Sequence, residues 1–388
     1  MAVAGVVAEF DPFHLGHQYL IREIRRRLGE DPPVVVAMSG SFTQRGGAAI
    51  CPPVARAEMA LRGGADLVLE LPLPFATASA ETFARGGVEV LLATGVVDTL
   101  CFGSETGEEH TLRRMAAALE GENFPQALKA FVAQGLPFAA ARHQALEQVL
   151  GEKLPQGAND LLATEYLRFW PREKAALAIP RRGGDHGGSQ SASRVRQLLL
   201  AGQWRQAGEL LPRSSLEILE REFRQGRCPG SLQWAERGVL YRLRTMTEAD
   251  FFAIADCTEG LEHRLVRAAA QAGSLEEFYA LAKSKRYAHA RIRRIALRAF
   301  LGLTALPQTV PYLRVLGATP RGLELLRQMK TRSALPVVTK PAHGRKLEGE
   351  AGALFAQGRR ADDLWGLCLE RPMPNGWSWS QGPVLLKD

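Results

Sequence analysis

The run Val6-Val7-Ala8-Glu9-Phe10-Asp11-Pro12-Phe13-His14-Leu15-Gly16-His17 decides how the rest of the chain is read. Residues 3–8 are a short apolar run, suited to a strand buried on both faces. Pro12 and Gly16 mark a turn after it. Residues 18–28 then put Leu20, Ile21, Ile24 and Leu28 on one helical stripe, with Arg22, Arg25, Arg26 and Arg27 opposite as a solvated face. Two histidines in H-x-G-H spacing therefore stand where a first strand hands over to a first helix. That junction suits phosphate, because free backbone N–H groups and the positive helix end both point at a ligand. Gly16 lets the backbone come close, and two imidazoles can donate hydrogen bonds to phosphoryl oxygens as charge builds on them. For an arbitrary H-x-G-H the plainer reading is a capping histidine beside a surface one. The strand, turn and helix in this order favour phosphate binding.

Outward from this stretch, strand and helix signals alternate. Residues 34–38, 67–71 and 99–102 read as further strands, and 54–62 and 81–92 as helices. Such alternation predicts an α/β fold, a Rossmann-like parallel sheet with ligands at the carboxyl ends of its strands. After about residue 111 the signals become mostly helical. Asn159 is expected to cap a helix, 176–179 to return to the sheet, 180–189 to form a Gly- and Arg-rich loop, and 193–201 to be helical. Residues 215–303 read as helical, 312–316 and 335–338 as late strands, and 375–388 as irregular. This divides the chain into a nucleotide-binding domain at 1–200 and a basic, mostly helical region at 201–388.

Composition narrows the classes. The 388 residues carry 49 Lys and Arg against 41 Asp and Glu, a net charge of +8 that favours an anionic partner. The longest apolar runs are interrupted by Glu70, Pro72 and Pro74 or by Glu89 and Asp98, so no membrane span is expected. The first residues have no basic region before their apolar run, which predicts a cytoplasmic protein. Cys51, Cys101, Cys228, Cys257 and Cys368 are scattered without a C-x-x-C pair, which disfavours a disulfide framework and a structural zinc. His110, His143, His263 and His343 are isolated, so no protein-held metal is expected. Trp204, Trp234 and Trp365 lie in helical or apolar surroundings and read as core.

The histidine run resembles the HIGH-motif nucleotidyltransferase superfamily, whose members bind ATP and attack its α-phosphate with release of pyrophosphate. Ser191-Ala192-Ser193-Arg194-Val195-Arg196 is similar to that superfamily's second signature, a Ser/Thr-rich loop before a helix. Within the superfamily, the run from Ala8 to His17 resembles the opening of the bacterial tRNA(Met) cytidine acetate ligase family. So do the stretches at 38–46, 64–72, 83–86, 102–105, 158–162, 285–287 with 291–294, and 312–317. The likeness extends to about residue 340. Two departures stand out: Asp11 replaces a common Asn, and Leu15 a variable polar residue. A negative Asp11 beside a triphosphate needs an ion or an arginine to offset it.

The resemblance implies an enzyme that activates acetate with ATP to acetyl-adenylate and passes the acetyl group to N4 of the wobble cytidine of elongator tRNA(Met), giving N4-acetylcytidine. It implies ATP contacts from Val7 through His17 and on through Gln18, Tyr19 and Leu20, and from Gly103, Asn159 and Arg181 or Arg182. His14 and His17 would act at the α- and β-phosphates. Ser191 and Ser193 would hold the outer phosphates, and Arg196 the leaving pyrophosphate. Mg²⁺ is expected with the triphosphate. The loop at 39–46 is a candidate acetate pocket, and Glu9 either orients a motif histidine or caps a turn. Lys283, Lys285, Arg286, Arg291, Arg293, Arg294 and Arg298, with Tyr287 and His289 among them, suit phosphate contacts and base stacking by tRNA. A solvated arginine face is the plainer alternative for that run. Two rivals share some of these features: an adenylyl- or cytidylyltransferase acting on a phosphorylated cofactor precursor, and a non-catalytic RNA-binding protein.

Overall fold

The fold is described from a computed structural model covering residues 2–29, 31–181 and 191–387. Strands β1 (Ala4–Ala8) and β2 (Val34–Ser39) pair in parallel, with Ala4 opposite Val34. A two-stranded hairpin, β3 (Phe42–Thr43) and β4 (Gly47–Ala48), follows β2. Next come β5 (Leu67–Leu71), β6 (Thr99–Ser104), β7 (Ala175–Pro180), β8 (Leu313–Ala318), β9 (Val337–Val338) and β10 (Val384–Leu385). Among the described residues the main sheet runs β10-β8-β5-β2-β1-β6-β7, with β9 added on β8. Strands β5, β2, β1, β6 and β7 are mutually parallel, whereas β8 lies antiparallel to β5. The chain order reverses at β1, which has β2 on one side and β6 on the other. A crevice for a ligand therefore opens at the carboxyl ends of β1 and β6.

Alternate residues of the central strands feed two cores, as the two-residue period requires. Val7, Val35, Ala37, Leu69 and Phe102 pack on one face, under helices Ala80–Ala93 and Ala158–Phe169. Val6, Val34, Val36, Met38 and Cys101 pack on the other, with Ile21 and Ile24 of α1 (Leu15–Leu28) and Ala57 and Met59 of α2 (Pro53–Arg62). A third core joins the helices between Glu236 and Leu301 to Ala361, Trp365 and Trp377, and takes in Phe42 and Ala48 of the hairpin. The hairpin thus bridges the sheet and the helical region.

Several expectations change. Helix α1 starts at Leu15, because His14 caps it. Gly157, not Asn159, is the residue before helix Ala158–Phe169. The expected boundary at residue 200 does not follow the packing. Helices Ala192–Leu200 and Arg213–Arg224 press Val195, Leu198, Ile218 and Leu219 onto the α1 face of the sheet, and β8 to β10 return to the sheet itself. The stretch expected to be irregular holds a buried 3-10 turn, Trp377–Ser380, and β10. Trp365 is core, Trp204 is half-buried, and Trp234 is instead 47% exposed. Among the described residues no helix is long and apolar enough to cross a membrane.

Candidate functional site

The crevice end of β1 leads into a turn that is rigid before any ligand arrives. Phe10 sits at φ 45°, a left-handed conformation that bulky residues rarely adopt. Its buried ring packs on Phe13 at 5.0 Å and on His17 at 4.7 Å. His14 caps α1: its Nδ1 accepts the Gly16 N–H at 3.0 Å, and the His17 Nδ1 accepts the His14 N–H at 3.3 Å. The two rings lie 3.8 Å apart, centre to centre. A Cβ at position 16 would stand 2.8 Å from the His14 ring, so glycine is required there.

These bonds fix the chemistry of the pair. Burial pushes the His14 pKa down to about 4, with Arg181 and Arg45 adding to the effect. Burial, then His14, Arg181 and Arg45, hold His17 well below the usual value. Both rings are neutral at pH 7. Because each Nδ1 accepts a backbone N–H, the proton of each neutral ring is on Nε2. The result is two adjacent N–H donors, on rings tilted by 34°, at a helix N-terminus, which is what an incoming phosphate needs.

The surrounding charges are paired. Asp11 is buried, and its Oδ1 accepts the Ile50 N–H at 2.7 Å while its Oδ2 accepts Arg196 Nη1 at 2.6 Å. The arginine needed to offset Asp11 is therefore Arg196 itself. Ser191 caps helix Ala192–Leu200 by accepting the Arg194 N–H at 3.3 Å, and Ser193 Oγ takes a hydrogen bond from Arg45. Glu9 Oε1 accepts the Gln44 N–H at 2.7 Å, and Oε2 lies 3.7 Å from Arg45 Nε. Burial raises the Glu9 carboxyl pKa, with Arg45 opposing. Glu9 thus holds the hairpin loop rather than a histidine.

On the β6 side a reciprocal pair of caps ties two elements together. Glu105 accepts the Asn159 N–H at 3.2 Å, the Asp160 N–H at 2.9 Å and a bond from the Asn159 side chain. Asp160, fully buried, accepts the Glu105 N–H at 3.0 Å, the Thr106 N–H at 3.2 Å and the Ser104 hydroxyl. This holds Asn159 and Gly103 at the crevice. Arg181 follows β7 and is anchored by its N–H to Ser104 O at 2.9 Å. Arg182 lies outside the described residues.

One cleft of about 1650 Å³ joins these groups. Its lining includes Val7 through Asp11, His14 through Leu20, Gly103, Asn159, Arg181, Ser191, Ser193 and Arg196. Pro12 and Phe13 are not in its wall; Phe13 is core. From the loop at 39–46, Thr43, Gln44, Arg45 and Gly46 reach the cleft, while Ser39 and Ser41 are buried behind it. Gly46 has φ +77°, and a Cβ there would stand 2.7 Å from the Arg293 backbone, so the hairpin tip lies directly on helix His289–Leu301.

That helix makes the far wall. Arg293 and Arg294 line the cleft opposite the histidines, together with Tyr279. Arg293 lies over the Tyr279 ring at 5.2 Å. Arg294 has no hydrogen bond or ion pair among the described residues, and burial lowers its pKa. The rest of the basic run separates from the cleft. Lys283, Lys285 and Arg286 are exposed elsewhere. Tyr287, expected to stack a base, is buried, with its hydroxyl donating to Glu259 O at 2.6 Å. Arg291 donates to Asp256 O and Thr258 Oγ1 at 2.8 and 2.9 Å. Arg298, 1% exposed, serves the carbonyls of Pro74, Thr304 and Ala305.

Three supports escaped the sequence. Arg56, fully buried in α2, donates to Glu9 O at 2.6 Å, Ser39 O at 2.8 Å and Gly40 O, clamping the ends of β1 and β2 together. Its signal was an arginine inside the run Val54-Ala55-Arg56-Ala57. Glu105 and Asp160 lay in the stretches at 102–105 and 158–162, but their partnership is not written in either.

The model of the HIGH Nucleotidyl Transferase family matches residues 1–375 of this chain. A tRNA(Met) cytidine acetate ligase of Syntrophomonas wolfei is 38% identical over 99% of this chain and 99% of that protein. One from Fervidobacterium nodosum is 37% identical over 92% of this chain and 88% of its own. The apo crystal structure of Thermotoga maritima TmcAL matches with a TM-score of 0.93 and 32% identity, covering 100% of both chains. The same protein bound with alpha-thio ATP matches at 0.90 and 33%, again over 100% of both.

Proposed function

The chain belongs to the tRNA(Met) cytidine acetate ligase family of HIGH nucleotidyl transferases, and from that premise we propose that it is a cytoplasmic, ATP-dependent ligase that makes acetyl-adenylate and acetylates N4 of the wobble cytidine of elongator tRNA(Met). The observation that carries this reading is the pair of neutral imidazoles, both with Nε2–H, at the switch point of the sheet and inside a cleft that reaches the arginines of the helical region.

Acetate is already ionised at neutral pH, so the first step needs no base. A carboxylate oxygen bonds to the α-phosphorus while the bond to the pyrophosphate oxygen breaks. Catalysis here is alignment plus stabilisation of charge on the phosphoryl oxygens. His14 and His17 supply two N–H donors to the α- and β-phosphates, and the α1 N-terminus adds its dipole. Arg196 and Arg181 face the leaving pyrophosphate, and Ser191 and Ser193 the outer phosphates. Gly103 and Asn159 stand where the nucleoside end enters. The hairpin loop from Thr43 to Gly46 is the acetate side.

Mg²⁺ would accompany ATP as part of the substrate. Among the described residues no group of three or more His, Cys, Asp or Glu side chains could hold a metal, so the nucleotide itself would bring the ion, and Asp11, engaged by Ile50 and Arg196, would lie beside it. The ion would offset triphosphate charge.

In the second step the exocyclic amine attacks the acetyl carbonyl, the C–N bond forms, AMP leaves with the electron pair of the broken C–O bond, and the amine gives up one proton to solvent. Acetyl-adenylate is labile to water, so the intermediate is kept in the cleft until the base arrives. The sheet region holds ATP, and Arg293 and Arg294 of the helical region meet the tRNA backbone, with Lys283, Lys285 and Arg286 outside adding long-range attraction.

The test is incubation with ATP, labelled acetate and an unmodified tRNA(Met) transcript, followed by nucleoside mass analysis and acetate-dependent ATP–pyrophosphate exchange. Labelled N4-acetylcytidine and exchange that needs acetate are expected. Exchange that needs a phosphorylated metabolite in place of acetate, or tRNA binding without AMP release, would overturn the reading.

A further inference from the structure

Helix Glu236–Arg244 buries Val239, Leu240 and Leu243 and leaves a stripe that packing does not use. Arg237, Tyr241 and Arg244 recur at i, i+4 and i+7 and so share one face. Tyr241 is 71% exposed, and Trp234, in the turn before the helix, is 47% exposed. Arg237 has no hydrogen bond or ion pair among the described residues. Arg244 spends one donor on Ala272 O at 2.6 Å and is otherwise exposed. From Trp234 to Thr245 the only acidic residue is Glu236, and its Oε1 accepts the Leu275 N–H at 2.8 Å. The stripe is therefore aromatic and positive, and the one carboxylate of its own segment is engaged.

Its position gives the occupant. The turn that carries Trp234 also puts Leu232 and Gln233 into the lining of the ATP cleft, and Glu236 of the helix lines it too. The strip thus begins beside the cleft wall made by Leu232, Gln233 and Glu236. From Arg237 to Arg244 it runs for about 10 Å, close to the rise of three stacked bases.

We propose that Trp234, Tyr241, Arg237 and Arg244 form a docking strip for single-stranded RNA, which stacks unpaired bases flanking the cytidine that enters the cleft. The inference rests on the ligase reading above and adds the surface that presents the substrate loop. Unpaired loop bases are the part of an RNA that proteins stack on exposed aromatic rings, and guanidinium groups beside the rings meet the phosphates. Tyr287, the aromatic of the more basic run, is buried and cannot do this.

The experiment uses the full-length chain and an unmodified tRNA(Met) transcript. It measures tRNA Kd, the KM for tRNA in acetylation, and acetate-dependent ATP–pyrophosphate exchange without tRNA. The double variant Trp234→Ala, Tyr241→Ala should raise Kd and KM by about tenfold or more. Its exchange rate and thermal melt should match the parent, since both rings are exposed. Trp234→Phe with Tyr241→Phe should recover most of the affinity, because the ring face does the stacking. Arg237→Ala should lessen the slope of log K against log salt by about 0.7 to 0.9. Parental Kd and KM in the double alanine variant would overturn the strip. So would intact tRNA constants together with a lowered mass in solution, which would make it a self-interface. A parent chain that acetylates no tRNA would instead remove the ligase reading, and the strip with it.

Discussion

On the nucleotide wall of the cleft, Asp11 has both oxygens engaged, Asp160 accepts three bonds, and each motif histidine accepts a backbone N–H. On the opposite wall Arg294 has no hydrogen bond or ion pair among the described residues, and beyond the rim the same holds for Arg237. The first wall is finished before its ligand arrives; on the second, Arg293 only approaches Glu276 at 3.7 Å and Arg294 keeps its donors unbonded. A triphosphate has one shape, and donors fixed ahead of time stabilise its transition state without reorganising. An RNA loop is supple and large, and is met by charge and by rings that tolerate adjustment. The two walls should therefore respond differently to mutation and to solution conditions.

The largest difference is expected at His17. Its ring donates from Nε2 and also accepts the His14 N–H. His17→Ala should lower acetate-dependent ATP–pyrophosphate exchange by about 10²-fold or more. Near-parental exchange would remove the histidines from the chemistry. On the RNA wall no single truncation should approach that loss.

Proton linkage comes next. His14 is held down at about 4 and His17 well below the usual value, so the folded chain refuses protons that the unfolded chain accepts below about 6.5. Stability from these rings is intact above pH 6.5 and is lost as pH falls from there toward 4. Urea midpoints measured from pH 7.5 down to 5 should decline, and His14→Gln should remove part of the decline. Exchange activity should show no inflection near 6.5 from imidazole protonation. An inflection there would mean that at least one ring works as a cation.

Much of the nucleotide wall was legible because it is local. Strand, turn and helix follow one another within Val6 to Leu28, so apolar period and turn residues disclose the junction without any distant contact. What escaped is what the fold brings from afar. Arg196 neutralises Asp11 across 185 positions. The return of β8 beside β5 links Leu67 with Ala318. On the helical side the arginines read alike in sequence, yet the fold buries Arg298, ties Arg291 to a loop and leaves Arg294 free. Composition identifies a basic helix; only packing sorts its charges. The same blindness made Trp234 read as core and Tyr287 as a stacking ring.

Arg196 offers an intermediate test, since it serves structure and chemistry together. Truncating it leaves Asp11 Oδ2 charged and buried without its 2.6 Å partner. Arg196→Ala should cost about 2 kcal/mol in urea unfolding. Adding Asp11→Asn should return part of that, because the amide carries no charge, while exchange activity should stay low if Arg196 also meets pyrophosphate. Full recovery of activity in the double variant would confine Arg196 to holding Asp11.

The smallest effects separate two arginines on one helix. Arg291 donates to Asp256 O at 2.8 Å and to Thr258 Oγ1 at 2.9 Å, and lies over the Tyr287 ring at 5.7 Å. Its truncation should lower stability by about 1 kcal/mol and leave the salt dependence of tRNA binding unchanged. Arg294 faces the cleft without a hydrogen bond or ion pair among the described residues, and burial already disfavours its charge. Arg294→Ala should leave stability within about 0.5 kcal/mol of the parent and weaken tRNA binding by about threefold to tenfold. Comparing urea midpoints with tRNA affinities at two salt concentrations reads both effects from the same proteins. If Arg291→Ala weakened tRNA binding and Arg294→Ala did not, the division of this helix into a bonded face and a free one would be reversed.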